Sequence, residues 1–202
     1  MMILRTAPAS PFGRKVRIAS SLLDLDGEIR IERADTMDPA DSMRRQNPLG
    51  KIPILILDDG AILFDSRVIL EYLDHHAGGG RIVPTDARAR FSALTLQALC
   101  DGMMDASILQ VYEGRWRSPD RHEAKWVEHQ ADKVSRALSM LEAGPPSLDG
   151  TPHVGQIALG CALGYLDLRF EGRWRGGHPR LVAWLEGFAA RVPAFDATRP
   201  TG

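Results

Sequence analysis

The sequence predicts two pieces of different class: a small α/β unit with a mixed sheet, then an all-α unit. Three observations carry this reading. Apolar extended runs and helical spacings alternate up to about residue 80, a glycine triplet follows, and strand signals then vanish. At 202 residues the chain is long enough for one large domain or two small ones with real cores.

Residues 2–5 form the first apolar stretch, and residues 13–25 carry Val16, Ile18, Ala19, Leu22 and Leu23 at helical spacing until Asp26-Gly27. Residues 28–32 alternate as a strand does, and residues 35–45 are polar, with Asp38-Pro39 suited to a helix start. Residues 54–57 and 61–64 are short apolar runs joined by Asp58-Asp59-Gly60, a hairpin signal. Residues 65–77 return to helical spacing through Val68, Ile69, Tyr72 and Leu73. The order is therefore βαβαββα. Gly78-Gly79-Gly80 ends it, and long amphipathic stretches follow at 87–115, 119–141, 154–170 and 179–192. The expected domains are 1–80 and 86–202, with 81–85 as linker.

A hydrophobic share of 44% with 25% charged residues fits a soluble globular protein, and a net charge of −1 gives no bulk attraction for nucleic acid. No apolar run reaches the length of a membrane span, and the first five residues are too short for a signal peptide, so a cytoplasmic location is expected. The two cysteines, Cys100 and Cys161, lie in apolar helical contexts and form no CxxC pair, so they read as core residues. Any thiol chemistry must then use a small molecule's sulfur. His75 and His76 diverge on a helix, and His122 with His129 lacks a third ligand, so no metal site is expected.

Ser10-Pro11-Phe12-Gly13 looks like a thioredoxin-type active-site turn in which both redox positions have changed. Serine cannot form a mixed disulfide, but its hydroxyl can donate a hydrogen bond to a bound thiolate beside the positive end of a helix. By itself Ser-Pro before a helix is also an ordinary N-cap. Asn47-Pro48-Leu49-Gly50-Lys51-Ile52-Pro53 ends in a proline that, if cis, lets Ile52 present its backbone to a peptide-like ligand; an ordinary turn fits too. Asp65-Ser66 before a helix is either a simple cap or a cradle for a ligand carboxylate and ammonium.

In this order and spacing, the three segments resemble the cytosolic glutathione transferase family, and in particular its small bacterial serine-type members. The resemblance spans essentially the whole chain and implies a thioredoxin-like first domain with a helical-bundle second domain. It implies that Ser10 activates the thiol and that Ile52, before a cis Pro53, binds the cysteinyl backbone of glutathione. Asp65 and Ser66 would hold the γ-glutamyl end, and Lys51 would reach the glycine carboxylate. Asp101 or Asp105 would approach glutathione from the partner subunit of a homodimer. Phe12, Met104, Ile108, Tyr112, Arg115, Trp116 and Tyr165 are the candidate wall of an apolar acceptor pocket, and interdomain core is the competing role for such a row.

The expected activity is conjugation of glutathione, as co-substrate, to a small electrophile. The alternatives are a glutathione-dependent isomerase or peroxidase, or a non-catalytic glutathione-binding interaction or stress-response module. No tyrosine precedes Tyr72 and no cysteine precedes Cys100, which argues against tyrosine-type and cysteine-type chemistry. Where the family opens its core helix with Ser/Thr-x-x-Asp, this chain has His153-Val154-Gly155-Gln156, and histidine is expected to cap poorly. Glu-Gly-Arg-Trp-Arg occurs twice, at 113–117 and 171–175. Two roles fit it: helix ends with tryptophan as a packing plug, or arginines rimming a pocket for anionic compounds.

Overall fold

A computed structural model describes residues 1–200. Its sheet is mixed, in the order β2-β1-β3-β4, formed by β1 (Met2–Thr6), β2 (Ile29–Arg33), β3 (Ile54–Ile56) and β4 (Ile62–Leu63). β1 runs parallel to β2 (Met2 opposite Ile29), and β3 is antiparallel to both β1 and β4. Side-chain alternation in β3 divides the core. Leu55 joins the main cluster under helices α1 (Pro11–Leu22) and α3 (Ser66–His76), while Ile54 packs with Ala34 and Met43 on the opposite face.

Helix α2 is one turn, Met43–Gln46, where the sequence suggested a start near Asp38-Pro39. Side-chain hydrogen bonds out-compete the helix there: Asp38 accepts from the Ala40 N–H, and Asp41 accepts from the N–H groups of Asp35 and Met43. Asp41 also pairs with Arg5 at 2.8 Å, and these bonds hold its carboxyl below the usual range.

The second part is helical: α4 (Ala87–Trp116), α5 (Ala124–Ala143), α6 (Val154–Phe170), α7 (Pro179–Arg191) and α8 (Pro193–Ala197). α6 is buried along Val154–Leu163 on every side, as a helix with almost no polar face must be. The segment between α3 and α4 is tied down. Gly78, Gly79 and Gly80 all take positive φ (101°, 79° and 78°), which turns the chain back so that Asp74 accepts from the N–H groups of Gly80, Arg81 and Ile82.

The two parts are clasped by adjacent basic residues of α1. Lys15 is fully buried and donates to Asp101 Oδ1 of α4 at 2.6 Å and to Ser66 Oγ of α3 at 3.2 Å. Arg14 lies 4.0 Å from the Phe195 ring centroid and donates to Thr198 Oγ1 and the Phe195 carbonyl. Cys100 and Cys161 are fully buried, and burial pushes their thiols up, Cys161 to about 12. Neither is a thiolate near neutrality.

His153 corrects one expectation, because it does cap α6. Its Nδ1 accepts from the Gly155 N–H at 3.1 Å, and Gln156 Oε1 accepts from the His153 N–H at 2.7 Å, a reciprocal box. Burial lowers the imidazole from its ordinary 6.5, which keeps Nδ1 unprotonated and able to accept. Gln156 adds a donor to the Ser147 carbonyl.

His153→Ala should cost about 1 kcal/mol in urea unfolding at pH 7.5, the usual worth of a cap. Because the folded imidazole titrates below the unfolded one, the wild type should lose this contribution as pH falls from about 6.5 through the lowered folded value. The variant should lack that part of the pH dependence, and parallel curves would exclude the cap.

Lys15→Met and Asp101→Leu should each cost about 3–5 kcal/mol, since either strands a buried charge. The double variant should recover most of that loss by the same measurement. Single-variant losses under about 1 kcal/mol would mean that the pair is not buried in solution.

Candidate glutathione site

Strand direction gathers the three sequence segments at one edge of the sheet. Arg5 lies opposite Ile54 and Leu55 opposite Leu63, so the end of β1, the start of β3 and the end of β4 point the same way. Ser10 follows the first, Ile52-Pro53 precedes the second, and Asp65-Ser66 follows the third. Antiparallel pairing on one side of β1 therefore makes the cleft.

Ser10 caps α1. The Ser10 N–H donates to the Ala7 carbonyl, and Ser10 Oγ accepts from the Gly13 N–H at 3.1 Å. Close approach requires glycine at 13, because a Cβ there would fall 1.8 Å from Thr6 Oγ1. A hydroxyl has one proton and two lone pairs, so capping consumes one acceptor and leaves the O–H free to donate. Ser10 is half-buried, beside the positive end of α1.

The Ile52–Pro53 bond is cis. Its loop is shaped by buried Asn47, whose Nδ2 donates to the Lys51 carbonyl at 2.9 Å and whose Oδ1 accepts from the Leu49 N–H at 3.0 Å. Lys51 is exposed and Ile52 half-buried. The Phe64–Asp65 bond is cis as well, and Asp65 caps α3 by accepting from the Arg67 N–H at 2.9 Å. Ser66 is buried in the first turn of α3, with its Oγ accepting from Lys15 Nζ, so its own proton too is free for a ligand. A carboxylate at this helix start would meet backbone N–H groups, a hydroxyl and the buried ammonium's field.

Asp101, one of the two residues considered for a contact across a dimer, pairs within its own chain. It is 2% exposed, bonded to Lys15, with Arg67 Nε 3.5 Å from Oδ2. A buried carboxylate needs its countercharge close by, and α1 supplies it. Burial pushes the Asp101 carboxyl up, and the Lys15 and Arg67 charges oppose that rise. Asp105, one turn on, is exposed; desolvation beside the cleft raises its carboxyl, and the Lys51 and Arg67 charges oppose this.

Among the expected acceptor-wall residues, Met104 is excluded: it is 1% exposed and packed in the interdomain core. The periodicity that marked it belongs to core and pocket alike. Trp116 is 61% exposed at the end of α4 and plugs nothing. The second tryptophan of the repeated pentapeptide behaves differently. Glu171 and Gly172 take left-handed conformations that fold the chain back, and Trp174 is buried with its indole N–H on Asp167 at 2.9 Å.

Phe12, Ile108 and Tyr112 are half-buried and Arg115 is exposed. Tyr165 lines a small cavity together with Ser10, Gly164 and Leu168. Burial raises its phenol, and the charges of Arg169 and Arg115 oppose that rise. Lys15, Arg67 and Arg169 were missed from the sequence. The Asp101 that Lys15 and Arg67 meet is distant along the chain, and Arg169 lies over Tyr165 one turn back on its own helix, a spacing with no motif to mark it.

Family models for the glutathione S-transferase N-terminal and C-terminal domains match residues 4–81 and 124–187. The chain is 31% identical over 198 residues to the uncharacterized GST-like protein YibF of Escherichia coli K12, covering 95% of each sequence. A glutathione transferase family member from Pseudomonas fluorescens Pf-5, solved with bound glutathione, is 40% identical, with a TM-score of 0.91 over 100% of both chains. A glutathione S-transferase from Methylobacillus flagellatus KT, solved with glutathione bound, is 34% identical, with a TM-score of 0.92 over 100% of both. With a thioredoxin-like domain, a helical domain and these relatives, the chain belongs to the glutathione S-transferase family.

Proposed function

We propose that this protein binds glutathione and joins it through its sulfur to a small electrophile, with Ser10 holding the thiolate. The observation that carries the reading is the Ser10 hydroxyl, whose acceptor side is occupied by the Gly13 N–H while its proton is uncommitted. Two relatives that match over their full length and were solved with glutathione bound support the ligand assignment. Lys51, Ile52, Pro53, Asp65 and Ser66 would surround the tripeptide, with Asp105 near its charged end. Residues 1–80 would bind glutathione and residues 86–202 would supply the acceptor wall, in a cytoplasmic homodimer of the kind general in the family.

The thiol loses its proton to solvent, and the thiolate is stabilised by the Ser10 O–H and the N-terminus of α1. The sulfur then forms a bond to the electrophilic carbon, whose leaving group departs with the bonding pair. Proximity supplies much of the acceleration, because both reactants are held in one cleft.

Ser10→Ala should raise the pKa of bound glutathione and slow conjugation about 10–100-fold, as expected for loss of a hydrogen bond to a charged group. Glutathione affinity should change less. The checks are the ultraviolet absorbance of the bound thiolate against pH, and initial rates. Unchanged absorbance and rate would remove Ser10 from the mechanism. A stable thioether is the expected product; a rearranged substrate or oxidised glutathione would replace transfer by isomerase or peroxidase chemistry.

A further inference from the structure

Six arginines lie near the ends of α4 and α6 and in the turn after α6, in three kinds of surroundings. Arg117 pairs with Glu113 at 3.0 Å, Arg173 with Glu171 at 3.2 Å, and Arg175 with Asp167 at 2.6 Å. Arg121 ends the short turn beyond α4 and faces solvent. Among the described residues, Arg115 and Arg169, like Arg121, have no carboxylate partner, but these two lie over tyrosines. Arg115 Cζ is 5.1 Å from the Tyr112 ring centroid, and Arg169 Cζ is 5.7 Å from that of Tyr165.

A cation in the last turn of a helix is favoured by the helix dipole, and that alone would account for one arginine on each helix. It does not account for the state of Arg169. The side chain is half-buried, and its Nε is enclosed with no hydrogen-bond partner among the described residues. Leaving a guanidinium N–H dry and unpaired is costly, and the helix carbonyls do not relieve it here. The ring partner of Arg169, Tyr165, borders the small gap that Ser10 also borders. Arg115 and Arg169 each lie over a ring near the ends of the packed helices α4 and α6, and the charges of both oppose the rise in the Tyr165 phenol.

We infer that Arg115 and Arg169 form an anion subsite that selects electrophiles carrying a carboxylate, with Tyr112 and Tyr165 flanking the planar body of the acceptor. The inference rests on the proposed glutathione transfer and adds the acceptor's chemical class. A guanidinium recognises a carboxylate through parallel N–H donors, and its face on a tyrosine ring is already oriented to do so. In an aryl chloride of this class, the glutathione sulfur forms the new C–S bond, the C–Cl bond breaks, and chloride leaves with the electron pair.

The test compares 4-chloro-3-nitrobenzoate with 4-chloro-3-nitrobenzamide, each rate being divided by its uncatalysed rate with glutathione. The wild type should favour the acid over the amide by about tenfold or more, the scale of a charge-assisted hydrogen bond. Arg115→Gln and Arg169→Gln should each lower that ratio about threefold or more, the double variant should bring it near one, and Arg169→Lys should restore part of it. Arg115 is exposed, so its variant remains informative if Arg169→Gln folds poorly. Equal enhancement of acid and amide, or an undiminished ratio in the double variant, overturns the anion subsite and leaves the transferase reading standing. Absence of both reactions together with no binding of glutathione overturns that reading, and this inference with it.

Discussion

One buried ion pair sets the geometry on which the rest of the molecule depends. Lys15 and Asp101 are withdrawn from water, and a charge so placed is tolerated only with its partner in good geometry. α1 and α4 therefore cannot slide past one another without exposing or separating the pair. Because Lys15 also donates to Ser66 Oγ, the same ammonium fixes the start of α3. Three helices from two domains thus converge on one nitrogen. The cleft between the domains is fixed in place before any ligand arrives.

That constraint explains how weak local features combine into a site. The Ser10 hydroxyl, the Ile52–Pro53 turn and the start of α3 are each common devices of chain geometry. Mixed strand direction brings them to one sheet edge, and the clasp holds α4 across the opening. In both serines the acceptor side of the hydroxyl is used by the fold, Ser10 by the Gly13 N–H and Ser66 by Lys15. Each keeps a proton to give. Groups already oriented lose little freedom when a ligand binds, which favours both affinity and rate.

The helical domain divides its charges in a comparable way. Arginines that close turns are spent on nearby carboxylates, as Arg175 is on Asp167. Arg115 and Arg169, in the last turns of α4 and α6, lie over tyrosine rings. The repeated Glu-Gly-Arg-Trp-Arg segment shows how little five residues decide. In the first copy the helix runs on and Trp116 meets solvent, whereas in the second a left-handed turn folds Trp174 into the core.

The amino-acid sequence by itself determined the element order, the change of class after the glycine triplet, and the three segments carrying Ser10, Ile52-Pro53 and Asp65-Ser66. These are local properties: hydrophobic period, turn chemistry and capping act within a few residues. It placed the start of α2 too early, because side-chain bonds such as those of Asp41 compete with a helix in ways that periodicity does not register. It undervalued His153, whose capping depends on burial keeping the ring neutral. Only the tertiary structure decided that Met104 belongs to the core, that Asp101 is held by Lys15 from 86 residues away, and that Arg169 is enclosed without a partner. Core and pocket residues share one composition, and the partner of a buried charge is chosen by proximity in space, which sequence separation does not record.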